Sequence, residues 1–243
     1  MLTQDSEIKI SDKYVDDSNL FNNHNNIEIN GLYSDLIILD NVLSSTECNN
    51  ILRYYESERF VQHKQTNRYK NISNMQTLTN IIEKRCDGYI AGRYKDKYKW
   101  NYKHINDCWR CIKCNINSSL SSHFDASSVK SINEMSKYTV MIYLSDNTDG
   151  VTYFNKYDLH VLPVKGRCVI FDLKLIHSGE INSEIKYILR SELYYVRDEL
   201  IALNDINYLS YELYENALLN KDENMEKIAL DSSEMLSEMV YNY

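Results

Sequence analysis

The chain has 243 residues, 43% of them hydrophobic, and a formal net charge of -8 at pH 7. This size and composition predict one globular domain, and the acidic balance argues against a general phosphate-binding surface, so we expect no nucleic-acid partner. The sequence has no apolar run long enough for a signal peptide or a membrane span, so we expect a soluble, cytoplasmic protein without a membrane partner.

The first part of the chain predicts an arm, a buried strand and a helix. Residues 1–32 are polar and rich in Asn without clear periodicity, which indicates a mobile arm or a peripheral strand. Leu36–Asp40 is a short apolar run typical of a buried strand. Ser44 and Glu47 then form a capping-box pattern, so we expect a helix that runs to about Arg59.

A polar, basic stretch separates this helix from the next. Residues 61–74 predict a loop, either a solvated connector or, in an enzyme, a mobile element that faces the substrate. From Leu78 to about Gly92, apolar residues at helical spacing predict a second amphipathic helix. Both helices are expected to pack on the outside of one sheet.

From residue 107 onward the pattern changes to short strands separated by turn residues. The predicted strands are residues 108–116, 120–125, 137–145, 151–154, 158–162, 167–171 and 185–196. Such a succession predicts a jelly roll, also called a double-stranded β-helix, or a barrel. With the two helices this gives an α+β domain over residues 33–197, whose jelly-roll core is residues 107–197. Residues 198–243 are acidic with apolar residues at helical spacing, which predicts a helical tail that covers the sheet or mediates self-association.

Three cysteines lie at a spacing that can signal a metal cluster. Cys108, Cys111 and Cys114 fall within one predicted strand, where a spacing of three puts neighbouring side chains on opposite faces. We therefore expect reduced thiols rather than a zinc or iron–sulfur site.

The pattern with the clearest chemistry is His123-Phe124-Asp125 together with His177. In a strand, side chains two residues apart point to the same face, so His123 and Asp125 can reach one ion. A second imidazole from another strand would complete a 2-His-1-carboxylate facial triad, the arrangement that holds iron(II) with open positions for substrate and dioxygen.

Several sequence blocks follow one another in the order that a known family shows. They are Arg-Cys-Ile-Lys-Cys at 110–114, Ser-His-Phe-Asp at 122–125, Tyr-Thr-Val-Met-Ile-Tyr-Leu-Ser at 138–145, Gly-Val-Thr-Tyr-Phe at 150–154, Pro-Val-Lys-Gly at 163–166, His-Ser-Gly at 177–179 and the strand at 186–195. In this order they resemble the prolyl 4-hydroxylase-like branch of the iron(II)- and 2-oxoglutarate-dependent dioxygenases, and the resemblance extends upstream to about residue 35. The chain departs from the family at Cys114, where relatives usually have Tyr, at Val151, which replaces an acidic residue, and at Ile116-Asn117, which replaces Pro-Gly.

The resemblance implies roles for particular residues. His123, Asp125 and His177 would bind iron(II), and 2-oxoglutarate and dioxygen would be cosubstrates, with ascorbate as a reductant. Lys186, nine residues after His177 (186 − 177 = 9), stands where the family places the basic residue that binds the far carboxylate of 2-oxoglutarate. Arg190 lies four residues further on the same strand face and is the alternative anchor, and Tyr143 would donate a hydroxyl to that carboxylate.

The implied activity is hydroxylation of a C–H bond, most simply on a prolyl or other side chain of a peptide or protein, with release of succinate and carbon dioxide. Two alternatives stay open at this point. A catalytically inactive jelly-roll binding or structural protein would account for the altered turn motifs, and a dioxygenase with a small-molecule substrate is compatible with the same residues. The excess of Asn, Ile, Lys and Tyr further indicates an AT-rich genome, such as that of a large DNA virus or a protist.

Overall fold

The computed structural model describes residues 16–21, 26–62, 67–90, 100–131 and 133–197. The helical tail predicted for residues 198–243 lies outside this range, as does most of the arm predicted for the N-terminus. The two helices are α1 (Ser45–Ser57) and α2 (Gln76–Ile90), and short 3-10 turns occur at Ser18–Leu20 and Asn155–Tyr157. Both helices begin and end within two residues of the predicted positions.

The described residues also form 14 β-strands. They are β1 (Glu28–Leu32), β2 (Leu36–Asp40), β3 (Val61–Gln62), β4 (Arg68–Asn74), β5 (Asn101–Ile105), β6 (Cys108–Cys114), β7 (Leu120–His123), β8 (Val129–Ser131), β9 (Glu134–Tyr143), β10 (Thr152–Phe154), β11 (Leu159–Val161), β12 (Cys168–Asp172), β13 (His177–Gly179) and β14 (Lys186–Val196).

The strands form two antiparallel sheets that face each other. The large sheet has ten strands, with the main order β1-β2-β12-β9-β14-β6-β4-β3 and with β5 and β8 paired to β14 and β9. The small sheet has four strands in the order β11-β10-β13-β7. Two facing antiparallel sheets with crossed connections are the arrangement of a jelly roll. The predicted α+β, jelly-roll-like architecture is therefore confirmed.

The large sheet is buried on both faces because different elements cover each face. Its outer face packs on both helices, as predicted, through a cluster that includes Ile51 of α1 and Ile82 of α2. Its inner face packs on the small sheet through a second cluster that includes Met141 and Phe154. A central strand buried on both sides favours apolar residues at successive positions, which explains the apolar run at residues 140–143 that ends β9.

The two helices are joined by a buried ion pair at the start of α1. The Ser44 hydroxyl accepts from the Glu47 backbone N–H at 3.2 Å, and the Glu47 carboxylate accepts from the Ser44 N–H at 2.8 Å, so the predicted capping box is present. The same carboxylate, which is fully buried, binds two guanidinium nitrogens of Arg85 on α2 at 2.9 and 3.0 Å. A buried carboxylate needs such a partner because desolvation of a charge is costly.

Two N-terminal segments contact the rest of the domain, one at Asp17 and one at strand β1. Asp17 is 1% exposed, and its carboxylate accepts from the backbone N–H groups of Thr77 and Leu78 at 3.2 and 2.8 Å. It therefore caps α2 from about sixty residues away, a contact that local sequence cannot reveal. Near the end of the segment for which a mobile arm or a peripheral strand was expected, β1 pairs with β2 at the sheet edge.

The prediction of a loop over residues 61–74 is wrong for most of that stretch. Arg68–Asn74 is a strand that pairs with β6 over its whole length, and Val61–Gln62 pairs with it in turn. Its sequence, Arg-Tyr-Lys-Asn-Ile-Ser-Asn, lacks the apolar alternation that marks a half-buried strand. The backbone pairing with β6 and a polar cavity on one side make this strand possible.

The cysteines of β6 do not form a cluster in the described structure. Cys111 packs in the helix-facing cluster and Cys114 in the cavity-facing cluster, so the spacing of three places them on opposite faces, as expected. All six cysteines are free thiols. Within the described residues, no helix is long and apolar enough to cross a membrane.

Candidate functional site

A cavity of about 490 Å³ lies between the inner face of the large sheet and the small sheet. Its walls include β4, β6, β9 and β14 on one side and β7 and β13 on the other. It brings together the predicted residues His123, Asp125, His177, Lys186 and Arg190, and it is lined by Thr152 as well.

At one end of the cavity, two imidazoles and a carboxylate converge. His123 and His177 are direct partners in the pairing of β7 with β13, and Asp125 follows two residues after β7 ends. The Asp125 backbone N–H donates to the Leu173 carbonyl at 2.9 Å, which holds the carboxylate beside the two rings. One ligand atom from each of the three side chains lies within 4.8 Å of the others, and His123 Nε2 is 3.8 Å from Asp125 Oδ1.

Both imidazoles are oriented by backbone carbonyls. Nδ1 of His123 lies 2.9 Å from the Ser121 oxygen, and Nδ1 of His177 lies 2.9 Å from the Leu175 oxygen. A carbonyl oxygen only accepts, so each Nδ1 carries the proton and each Nε2 is left as the ligand nitrogen. Burial lowers the pKa of His177, which favours the neutral ring that binds a metal.

The Asp125 carboxylate is held on both oxygens. It is 7% exposed, Thr139 Oγ1 donates to Oδ2 at 2.6 Å, and the Arg190 guanidinium contacts Oδ1 at 3.0 Å. Burial alone would raise the pKa of Asp125, but Arg190, His177 and the Thr139 hydrogen bond together hold it below its usual value. The carboxylate is therefore ionised and oriented at neutral pH.

Aromatic rings close the outer side of this end. The Phe171 ring lies edge-on to the His177 ring with centroids 4.7 Å apart, and the Phe154 ring lies 5.8 Å away. Both Phe side chains are buried. They restrict the His177 ring to one orientation and keep water away from its outer face.

The other end of the cavity holds a buried ammonium. Lys186 is 3% exposed, its Nζ donates to the Gly150 carbonyl, and no carboxylate of the described residues forms an ion pair with it. Burial lowers the pKa of Lys186, and the neighbouring Arg68 lowers it further. A buried cation with one neutral partner is a costly arrangement unless an anion joins it.

Polar atoms without partners surround this ammonium. Asn182 Oδ1 and Ser118 Oγ are buried without a hydrogen-bond partner, and both residues line the cavity. Tyr143, the predicted hydroxyl donor, is fully buried and donates to Thr152 Oγ1 at 2.6 Å. Because Thr152 lines the cavity and Tyr143 does not, the threonine hydroxyl is the group that a ligand meets, with Tyr143 behind it.

Gly150 shapes the wall next to Lys186. Its φ is +65°, and a Cβ placed on it would lie 2.6 Å from the Asn182 Cβ. Only glycine combines that backbone conformation with so close an approach. The turn at Gly150 therefore brings the Gly150 carbonyl to the Lys186 ammonium. A larger residue at this position would displace that carbonyl.

Arg190 lies at the opposite end from Lys186. The two residues are four positions apart on β14, roughly 13 Å at about 3.3 Å per residue. Since Arg190 contacts the Asp125 carboxylate directly, the two candidate anchors occupy different parts of the cavity.

Further cations on β4 and β6 line the same cavity and were not predicted as site residues. Arg68 and Lys70 of β4 point inward beside Arg110 of β6, whose guanidinium pairs with Glu192. The alternation of Arg68 and Lys70 is a two-residue period, which was the available sequence signal. Because residues 61–74 were predicted to be a loop, this two-residue period was not interpreted as a strand.

No protein-family model matches the sequence, and no curated protein matches it either. Solved structures with the same fold do exist. A viral collagen prolyl hydroxylase from Paramecium Bursaria Chlorella virus-1, in complex with 2OG, aligns with a TM-score of 0.51 at 17% identity over 66% of this chain and 96% of that chain. A Pseudomonas putida prolyl-4-hydroxylase aligns with a TM-score of 0.51 at 11% identity over 68% and 94% of the two chains.

A third similar structure is a prolyl hydroxylase from Trichoplax adhaerens in complex with a peptide fragment of the hypoxia inducible factor oxygen degradation domain. It aligns with a TM-score of 0.51 at 16% identity over 68% of this chain and 84% of that chain. At such identities the likeness establishes the fold. The predicted resemblance to prolyl 4-hydroxylases is thereby confirmed at that level.

Proposed function

We propose that this chain, which shares the fold of the prolyl 4-hydroxylases, is an iron(II)- and 2-oxoglutarate-dependent dioxygenase. The observation that carries the proposal is the arrangement of one cavity. Two imidazoles and an ionised carboxylate converge at one end, and at the other lies a buried ammonium for which the described part of the chain provides no anionic partner. One end can hold the metal that an oxo acid chelates, and the other can bind the far carboxylate of that oxo acid.

The donor set fits iron(II). Neutral imidazole nitrogens and a carboxylate oxygen suit divalent first-row metals, and three such ligands on one side leave coordination positions open. His123, Asp125 and His177 would hold the metal, and all three line the cavity. The carbonyls behind the rings and the two donors to Asp125 provide the outer contacts that orient metal ligands.

The opposite end fits the far carboxylate of 2-oxoglutarate. Lys186 supplies a buried positive charge from the large sheet, and the Thr152 hydroxyl lines the same cavity from β10 of the small sheet. We assign the anchor to Lys186 rather than Arg190, because Arg190 already contacts the carboxylate at the metal end. Ser118 can donate its unpaired hydroxyl proton to the same ligand.

When bound, iron(II) with 2-oxoglutarate and dioxygen supplies the oxidation that hydroxylates a C–H bond and releases succinate and carbon dioxide. The chain's own residues orient these groups and exclude water. Thr139 and Arg190 keep the Asp125 carboxylate in place, and Phe171 keeps the His177 ring in place. The protein thus contributes position and a shielded pocket, while the cofactors carry the oxidative chemistry.

For the substrate we propose a prolyl or other side chain within a peptide or protein. Support comes from the relatives: those with the same fold include prolyl hydroxylases, and the one from Trichoplax adhaerens is in complex with a peptide. A cavity of about 490 Å³ lies within the range of roughly 300–1,000 Å³ of small-ligand pockets, so it has room for a side chain beside the cosubstrate.

The test is an anaerobic titration of the full chain with iron(II) and 2-oxoglutarate, monitored by the visible charge-transfer band of the chelate. We expect the band in the natural chain and its loss in Asp125→Ala and His177→Ala. His160→Ala is the matched control, because that imidazole is about half exposed and pairs with Glu180 instead. Production of succinate from 2-oxoglutarate without substrate should follow the same pattern.

A well-folded protein that gives no band and no succinate would refute the proposal. The chain would then be a binding protein that keeps the jelly roll without the chemistry. Circular dichroism of each variant, compared with the natural chain, separates the loss of a ligand from the loss of the fold.

A further inference from the structure

The cavity contains more positive charge than its metal and cosubstrate ends account for. Arg68 and Lys70 lie two residues apart on β4, so both side chains point to the cavity side of the large sheet. Strand register places Arg68 beside Cys114 and then Lys186, and Lys70 beside Ile112. The two cations therefore sit two strands to the side of β14, roughly 10 Å at about 4.8 Å per strand.

The other cations of the cavity have assigned partners. Arg110 pairs with Glu192, and Arg190 pairs with Asp125. Lys186 is the cosubstrate anchor under the proposed function. Among the described residues that line the cavity, these pairings leave the two cations on β4 without an assigned partner.

Arg68 and Lys70 have no such partner within the described ranges. Neither side chain there has an acidic or hydrogen-bonding partner, and Arg68 Nε is buried without one. Burial lowers the pKa of Lys70, and the neighbouring guanidinium groups of Arg110 and Arg68 lower it further. Like charges held together without a counterion are destabilising, which is typical of a site that binds an anion.

We propose that Arg68 and Lys70 bind a carboxylate of the substrate, namely an acidic side chain in the same peptide as the hydroxylated residue. This inference rests on the proposed function and specifies its substrate class. A guanidinium can hold a carboxylate through two hydrogen bonds, and an ammonium beside it adds a point charge. From the metal end beside Arg190, the two cations lie roughly 10 Å across the strands and roughly 7–13 Å along them, a combined offset of about 12–16 Å. An extended peptide advances about 3.3 Å per residue, so we expect the acidic residue about three to five residues from the reacting one.

A peptide is favoured over nucleic acid by the charge of the whole chain. The net charge of -8 would repel a polyanion, whereas a single carboxylate meets only the local field of the cavity. The cations also line a concave pocket rather than an open surface. A short acidic segment that enters this pocket satisfies both conditions.

The experiment measures peptide binding by fluorescence anisotropy with the full chain under anaerobic conditions, with and without iron(II) and 2-oxoglutarate. The probes are labelled peptides of about eleven residues, made of Ala with a central Pro and one Glu at each position in turn. Each has a matched Gln peptide and a matched Lys peptide. We expect Glu at one or two positions, about three to five residues from Pro, to bind at least about tenfold more tightly than Gln.

Variants identify the residues responsible. Arg68→Gln and Lys70→Gln should each reduce the Glu-over-Gln preference to less than about threefold, and Lys70→Glu should favour the Lys peptide instead. Lys84→Gln is the matched control, because that lysine is exposed on α2 and makes the same change in net charge. Reversal of preference by Lys70→Glu is a result that a misfolded variant cannot produce.

Several outcomes would overturn the inference. They are equal binding of Glu and Gln peptides by the natural chain, no binding of any peptide, or tighter binding of a single-stranded oligonucleotide than of every acidic peptide. Loss of the iron–oxoglutarate band in Arg68→Gln would assign that guanidinium to the cosubstrate and remove it from the proposal. The two proposals fail in different ways. The absence of the charge-transfer band in the natural chain would refute the proposed function, whereas the absence of a Glu-over-Gln preference, which is also measured without metal, would refute this inference.

Discussion

Replacement of Lys186 by Met should have opposite effects on stability and on cosubstrate binding. In the free protein the ammonium is 3% exposed with one carbonyl partner and no ion pair among the described residues. Removal of this buried charge relieves a desolvation cost of a few kcal/mol and sacrifices one hydrogen bond, for a net gain of about 1–2 kcal/mol in unfolding free energy. A methionine fills nearly the same space.

The same substitution should weaken 2-oxoglutarate binding. Truncation of one partner of a buried, hydrogen-bonded charge pair costs about 2–5 kcal/mol, which is at least about 30-fold in dissociation constant. The natural chain should therefore prefer 2-oxoglutarate to 2-oxopentanoate, which lacks the far carboxylate. Lys186→Met should bind the two oxo acids almost equally.

Two measurements test this reasoning. Urea unfolding of the ligand-free protein gives the stability change, and anaerobic titration of the charge-transfer band gives the affinity for each oxo acid. Lys84→Met, on the exposed side of α2, should change neither quantity. A variant that binds 2-oxoglutarate like the natural chain would refute the anchor, and a less stable variant would refute the account of the buried charge.

Three further substitutions test the structural framework, each by urea unfolding. Gly150→Ala should cost about 2–4 kcal/mol, because φ is +65° and the new Cβ would meet the Asn182 Cβ at 2.6 Å; an unchanged midpoint would contradict the described turn. Glu47→Gln should cost about 3 kcal/mol by leaving the Arg85 guanidinium without its buried charge partner, and a loss below about 1 kcal/mol would count against that ion pair. Burial alone would raise the pKa of Asp40, but the Arg167 guanidinium, which binds both oxygens, holds it below its usual value, so Asp40→Asn should be less stable by about 1 kcal/mol at pH 7. Because the folded pKa is depressed, this contribution is present above the unfolded pKa and lost as pH falls through the folded pKa. A stability difference that does not shrink as the solution is acidified would therefore contradict the pairing.

Local sequence patterns were sufficient to predict several elements of the fold. The Ser44–Glu47 capping box predicted the start of α1 because its two hydrogen bonds join residues three apart. The apolar run Leu36–Asp40 predicted a buried strand, which is β2, because burial on both faces requires apolar residues at successive positions. Such features depend on neighbours in sequence, so a single sequence is sufficient to read them.

Other elements depended on distant partners. The strand Arg68–Asn74 looks like a basic loop, since its stability comes from hydrogen bonds to β6 and its inward side chains face a polar cavity. The cap on α2 comes from Asp17, whose carboxylate reaches the helix only in the folded chain. Neither the pairing of β4 with β6 nor the Asp17 cap on α2 can be predicted from a local sequence pattern.

The candidate site likewise has features that local sequence predicted and features that depend on the folded structure. The two-residue period of a strand predicted that His123 and Asp125 share a strand face, and resemblance supplied His177 and Lys186. In the structure β7 ends at His123, and the hydrogen bond from the Asp125 N–H to Leu173 holds the carboxylate beside the two rings. The folded structure alone shows that Arg190 contacts the Asp125 carboxylate at one end of the cavity and that the buried Lys186 ammonium lies at the other. Charge pairing across a cavity is set by the register of paired strands and by burial, and both arise only when the two sheets close on each other.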